Sequence, residues 1–280
     1  MRAAAWRWAC ALGLAALALP GTALAYGYSL TANVITEATN FPEGVRQEGH
    51  LQLDSDPRAF SLQALDRVAQ VSNGGKAVGM FLGSVGLLKA YASAATPLGG
   101  GRVTSTVTSS FADTIVVSGA GLAVGTPVSY RLDFSIEGTV QPSPPGFLPN
   151  AFADARVMLQ DDNSYESVGF SWSDKTMAPG VYSLVLNTQV GHSLVLYANL
   201  DVGAQVGSSS LTTRFGEADF YHSARYALTP SVAGLNVVGQ SGHDYTVSAV
   251  PEPSSWALMA VGLAAAVFKR RARRSQAVGP

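Results

Sequence analysis

Between positions 128 and 137 apolar and polar residues alternate without an error. Val128, Tyr130, Leu132, Phe134 and Ile136 are set against Ser129, Arg131, Asp133, Ser135 and Glu137. A period of two places the five apolar side chains on one face of an extended chain, which predicts a strand with a core side and a water side. Leu194, Leu196, Ala198, Leu200 and Val202 form a second such series, and Tyr182, Leu184 and Leu186 a third. Shorter strand candidates run over 111–117, 155–159, 168–172, 211–215, 218–226 and 243–249. Turn-forming residues fall between them: Asn73-Gly74-Gly75, Gly119-Ala120-Gly121, Asp161-Asp162-Asn163, Ala178-Pro179-Gly180 and Ser241-Gly242.

Many short strands at this spacing predict an all-β domain, an antiparallel β-sandwich of jelly-roll-like form. Over 57–96 the pattern is mixed. Leu62, Leu65 and Ala69 fit a short helix, but Leu87, Lys89, Tyr91 and Ser93 alternate, and Gly83 and Gly86 disfavour a long helix, so strands are expected there. The segment 141–149 (QPSPPGFLP) holds too many prolines for a strand interior and reads as a surface loop. Alternation resumes directly after it, so one domain over 26–249 is expected, and a chain of this length can bury a substantial core.

The two ends follow other rules. Residues 1–25 have the three parts of a secretory signal: Arg2 and Arg7, the apolar run ACALGLAALAL over 9–19, and small residues Ala23 and Ala25 after a helix-breaking Pro20-Gly21. Signal peptidase is therefore an expected partner, with the cut after Ala25. The single cysteine, Cys10, lies inside this run, so the exported product has no thiol, disulfide or thiolate metal site. The residues before Cys10, Arg7-Trp8-Ala9, lack the aliphatic residue of a lipoprotein signal.

At the other end, Pro251, Glu252 and Pro253 (motif 250–254) precede an apolar helix over 256–268 (WALMAVGLAAAVF). A basic cluster at 269–274 follows, made of Lys269, Arg270, Arg271, Arg273 and Arg274. The prolines favour an extended, protease-accessible backbone. As a helix the thirteen apolar residues reach only about 20 Å against a hydrocarbon core of roughly 30 Å, a marginal transmembrane span. The cationic cluster should remain cytoplasmic, leaving everything before Pro251 outside. In that order, these three features over 250–274 resemble the PEP-CTERM sorting tails of Gram-negative bacteria that make extracellular polysaccharide. The resemblance implies recognition by an exosortase, a membrane-embedded processing enzyme, and cleavage near Pro251–Pro253. It implies an inner-membrane precursor followed by a cell-surface or extracellular product. The cargo segments 86–94 and 218–226 also resemble stretches of other proteins bearing such tails, without an activity attached.

Charge and chemistry narrow the function of the central part. Between 26 and 250 there are eleven Lys/Arg against eighteen Asp/Glu, a net charge of −7 that repels phosphate backbones, so no nucleic acid is expected as a partner. The histidines, His50, His192, His222 and His243, show no ligand spacing, and no G-x-S-x-G elbow or phosphate-binding loop occurs. Asp201, Glu217, Asp219, Asp161 and Asp162 are the carboxylates available to a glycoside hydrolase, with no spacing that selects a pair. Asp161, Asp162, Asn163 and Ser164 gather hard oxygen ligands in one turn and form the one soft candidate for calcium. Tyr165, Trp172, Tyr197 and Tyr221 are candidates for a sugar-stacking platform, or else core and loop packing. The expected function is a non-enzymatic surface or matrix protein, without cofactor, associated with exopolysaccharide. A carbohydrate-binding module is the alternative, and an exported glycoside hydrolase comes third.

Overall fold

A computed structural model describes residues 27–40, 42–72, 74–97, 101–141, 150–207 and 214–246. Twelve strands follow in order: β1 Ser29–Asn40, β2 Glu43–Asp54, β3 Gln63–Gln70, β4 Lys76–Ser84, β5 Leu87–Thr96, β6 Arg102–Val116, β7 Pro127–Gln141, β8 Asn150–Asp161, β9 Ser167–Ser173, β10 Gly180–Gln189, β11 Ser193–Val206 and β12 Arg214–Pro230. They form two six-stranded sheets, ordered β2-β1-β6-β11-β8-β9 and β10-β7-β12-β5-β4-β3. All pairings are antiparallel. The sheets face each other across one core, which is the expected β-sandwich. A 3-10 turn at Pro57–Phe60, capped by the Asp56 side chain on the Arg58 N–H, joins β2 to β3.

The longest alternation in the sequence becomes β7, second from the edge of its sheet. Leu132 lies opposite Leu184 of β10 and Leu228 of β12, and its five apolar residues are buried as the period requires. The core has two textures. Under β7, β12 and β9 it is aromatic: Phe134 stacks with Tyr226 at 5.5 Å, Phe170 with Tyr182 at 4.6 Å, and Trp172 meets Phe220 edge-on at 5.5 Å. Between β4, β5 and β6 it is built of small residues, Ala77, Ala90, Ala92, Ala94, Ser105 and Ser109. There the sheets come close enough for Ser105 Oγ to donate to the Val78 carbonyl at 2.7 Å. A Cβ at Gly79 would stand only 2.6 Å from Val34 Cγ1, so this approach depends on glycine.

Beyond β12 the described part of the expected strand over 243–249, residues 243–246, is not a strand. Residues 231–246 instead make an irregular strap across one end of the sandwich, held by isolated bridges Gly119–Leu235 and Val238–Asp244. Its anchors are Leu235, Val237 and Tyr245, all buried, and the Tyr130 hydroxyl donates to the Asn236 carbonyl at 2.8 Å. The short-helix alternative for Leu62, Leu65 and Ala69 gives way to β3. Among the described residues no helix is long and apolar enough to cross a membrane. The signal helix, the tail helix over 256–268 and the proline-rich loop over 142–149 lie outside the described residues.

Candidate functional site

The outer face of the first sheet carries one set of chemically useful side chains beside an open groove. Strand register lines them up in rows across β6, β11 and β8. Ala112, Tyr197 and Met158 share one row, Ser110, Asn199 and Arg156 the next, and Thr108, Asp201 and Asp154 the third. At the edge, Gly169 of β9 continues the first row and Ser171 the second. Flanked by Ala112 and Met158, the Tyr197 ring borders an open groove of about 510 Å³, and it is 42% exposed. The small side chains at the row's ends are what leave this space.

Asp154 and Asp201 are directly opposed on neighbouring strands, which places their Cβ atoms roughly 5 Å apart. Partial burial raises the Asp201 pKa above the ordinary carboxylate value, and the charge of Asp154 raises it further. Hydrogen bonds from Thr108 and Asn199, together with Arg156, work in the opposite direction. The result is a patch of amide, guanidinium, carboxylate and hydroxyl groups beside one aromatic ring. Such a patch can hydrogen-bond vicinal hydroxyls while the ring covers an apolar sugar face.

The other candidates are dispersed. Glu217 and Asp219 lie on β12 in the second sheet, and Glu217 accepts from the Tyr91 hydroxyl at 2.9 Å. They cannot join Asp201 of the first sheet. The four aromatics likewise do not form one platform. Trp172 is buried, donating from Nε1 to the Ala178 carbonyl at 3.0 Å, and Tyr165 stands on a turn at φ 60°. Tyr221 is half-buried on the second sheet, beside Met80, Tyr91 and Asp219, so Tyr197 alone faces the groove.

The acidic turn is inward-looking. Asp161 is buried, and Oδ1 accepts from the N–H groups of Asn163 (2.9 Å) and Ser164 (3.2 Å). Oδ2 meets the Thr188 hydroxyl at 2.6 Å and His192 Nδ1 at 2.7 Å. Burial alone would raise this carboxyl's pKa, but the four hydrogen bonds outweigh it and hold the pKa below the usual value. Asn163 Oδ1 accepts from the Ser193 N–H at 2.8 Å. These oxygens join the β8–β9 turn to the β10–β11 turn, and a carboxylate with four partners has no lone pair left for calcium. Among the described residues no group of three or more His, Cys, Asp or Glu could hold a metal ion.

A second buried carboxylate escapes sequence reading. Asp113, at 0% exposure, accepts from Ser241 N–H (3.1 Å), Ser241 Oγ (2.6 Å) and the Tyr245 hydroxyl (2.9 Å). Burial pushes its pKa up, against the lowering effect of these donors. It ties the strap to β6, and its partners lie more than 120 residues away in the chain. The only local signal is an acidic residue at an inward position of a strand. Of the histidines, His192 belongs to the Asp161 knot, His243 packs edge-on against Tyr245, and His50 is exposed on β2.

Pro251, Glu252, Pro253, the cluster Lys269, Arg270, Arg271, Arg273 and Arg274, and Ala23 and Ala25 lie outside the described residues. The profile of the PEP-CTERM protein-sorting motif matches residues 249–274, in agreement with the tail read from the sequence. The motif marks the protein as exported to the cell surface through an exosortase-type system. Comparison with curated proteins gives no match. Among solved structures, the chain is similar to one described under "Structural basis for the promiscuous specificity of the carbohydrate-binding modules from the beta-sandwich super family". Identity is 9%, covering 70% of this chain and 85% of that one, and the TM-score of 0.15 is too low to carry a conclusion.

Proposed function

We propose that this is a non-enzymatic surface or matrix protein that associates with extracellular polysaccharide through the outer face of the first sheet. In this reading signal peptidase releases the N-terminal segment after Ala25. The tail then holds an inner-membrane precursor until an exosortase-type enzyme removes it. The observation that carries the binding role is the row structure around Tyr197. One exposed ring stands beside a groove, and Asn199, Arg156, Asp201 and Asp154 are set in register next to it. Polysaccharide binding on an open face suits long chains, which need no enclosed pocket.

The Asp154–Asp201 pair favours a second reading, because two carboxylates opposed on neighbouring strands are the residue types that a glycosidase uses. Against it, neither Asp154 nor Asp201 lines the groove beside Tyr197.

The test uses mature protein recovered from the surface fraction, with affinity electrophoresis in the producing organism's purified exopolysaccharide. Tyr197→Ala should weaken binding at least about fivefold, the equivalent of roughly 1 kcal/mol for a lost stacking contact. Tyr165→Ala, on a distant turn, should bind like the unmodified protein. Equal binding by Tyr197→Ala would overturn the proposal, and release of reducing ends that Asp201→Asn abolishes would establish the hydrolase instead.

A further inference from the structure

We propose that the end of the sandwich bearing the strap is a membrane-facing surface, which rests on the bilayer while the precursor is anchored. This inference depends on the anchored stage proposed above. Both described ends of the chain leave the sandwich here. Gly27 is held by the Thr114 hydroxyl donating to its carbonyl at 3.1 Å, next to the start of β1. Thr246, the last described residue, closes the strap over the same ends of β6, β7 and β12.

The tether is short. Nine residues, 247–255, separate Thr246 from the apolar run that starts at Trp256, and extended chain covers at most about 35 Å over the ten intervening steps. β6 and β7, at fifteen residues each, run about 50 Å from one end of the sandwich to the other. A precursor whose tail is in the bilayer therefore keeps its strap end near the lipid and holds its far end away. The strap cannot easily lengthen the tether, because Asp113 fixes Ser241 and Tyr245 inside the fold.

The connections at this end also expose apolar tips. Phe60 and Leu62 follow β2, Val124 precedes β7, Tyr165 caps the β8–β9 turn, and Val232 and Val238 lie on the strap. Phe60 is 52% exposed, Tyr165 78% and Val124 83%. The loops that carry them are tied to each other, so the tips are held in place rather than free to fold inward. Val85 N–H donates to the Ala59 carbonyl, Gly125 N–H to Val190, and Asn236 N–H to Ser118. Rigid loops with apolar tips suit shallow insertion at the headgroup boundary. Charges at this end do not supply the attraction. Asp54, Asp162, Glu166 and Asp244 are acidic, and the nearby cation Arg58 is already paired with Asp56. The partner is therefore a lipid surface met through apolar contact, with no need for anionic headgroups.

The experiment uses the full chain carrying Cys10→Ala, reconstituted into phosphatidylcholine vesicles that contain a nitroxide-labelled lipid. Single cysteines bearing a fluorophore are placed at the strap end (Phe60→Cys, Val124→Cys, Val232→Cys) and near the far end (Lys76→Cys, Lys175→Cys). Co-flotation with vesicles and quenching at least twofold stronger at the first three sites is the expected result. Co-flotation with equal quenching at all five, or stronger quenching at Lys76 and Lys175, would overturn the orientation while leaving the anchor intact. Failure to co-float would overturn the anchored stage and this inference with it. Quenching that appears only when phosphatidylglycerol is added would overturn the apolar contact.

Discussion

Asp161 and Asp113 show how differently two buried carboxylates can act at the scale of a single residue. Asp161 stays ionised because its four hydrogen bonds outweigh burial, so its folded pKa lies below the unfolded one. Its contribution to stability is present above the unfolded value near 3.8 and is lost as pH falls through the lowered folded pKa. Asp161→Ala should cost about 3 kcal/mol in urea unfolding at pH 7, since it leaves several donors of two joined turns without an acceptor. Calcium at millimolar levels should not move the unfolding midpoint of the unmodified protein, because the turn's carboxylate is already saturated by protein donors. A calcium-dependent rise would contradict that assignment. Asp113 has the opposite sign. Its folded pKa is raised, so the folded state holds its proton more tightly, and stability falls as pH rises from the unfolded value through the folded one. Asp113→Asn should reduce that slope above the unfolded value of 3.8, where Asp201 contributes with the same sign, and an unchanged slope would show that Asp113 does not produce it.

At the scale of elements, what the sequence made legible depended on how purely each strand's inward face is apolar. β7 and β11 were readable because large aliphatic and aromatic residues occupy every second position. β1 was not read, since its inward residues Leu30, Ala32, Val34, Thr36 and Ala38 are mostly small or polar. The first half of β6 hides in the same way behind Ser105 and Ser109, and β2 is an edge strand that is largely exposed. Residues 243–246, the end of the strap, carry a strand-like pattern because His243 and Tyr245 alternate with polar neighbours, whereas Tyr245 is buried by a contact with Asp113 that no local pattern encodes. The groove around Tyr197 was only partly foreseen. Tyr197 and Asp201 stand out in the sequence, but Asn199, Arg156 and Asp154 carry no signal of their own, and only the register of the strands sets them side by side. The clearest test at this scale contrasts faces of β7. Leu132→Asp should abolish soluble, cooperatively folding protein, since an unpaired carboxylate at that buried site costs several kcal/mol. Arg131→Ser, on the exposed face, should shift the unfolding midpoint only slightly, because it loses a surface ion pair with Asp133 at 3.0 Å and a long, exposed hydrogen bond to the Thr229 hydroxyl. Similar losses in both variants would mean that the face assignment is wrong.

For the whole molecule, fold and sorting tail make one arrangement. The sandwich places both described ends of the chain at one pole, and the PEP-CTERM motif begins three residues after Thr246, at position 249. The Tyr197 groove lies on a sheet face rather than at that pole, so the proposed anchoring and the proposed polysaccharide binding would use different surfaces. The central claim, that this is cargo delivered by processing at its tail, is tested most directly by mass spectrometry of the C-terminal peptide. The protein is taken from surface and secreted fractions of a host with the processing enzyme, and compared with a Pro251→Ala/Glu252→Ala/Pro253→Ala variant. The account predicts mature chains ending close to Pro251–Pro253 and lacking Trp256 onward, with the variant trapped as an uncleaved membrane-bound precursor. Exported chains that retain the terminal SQAVGP sequence over 275–280 would contradict it.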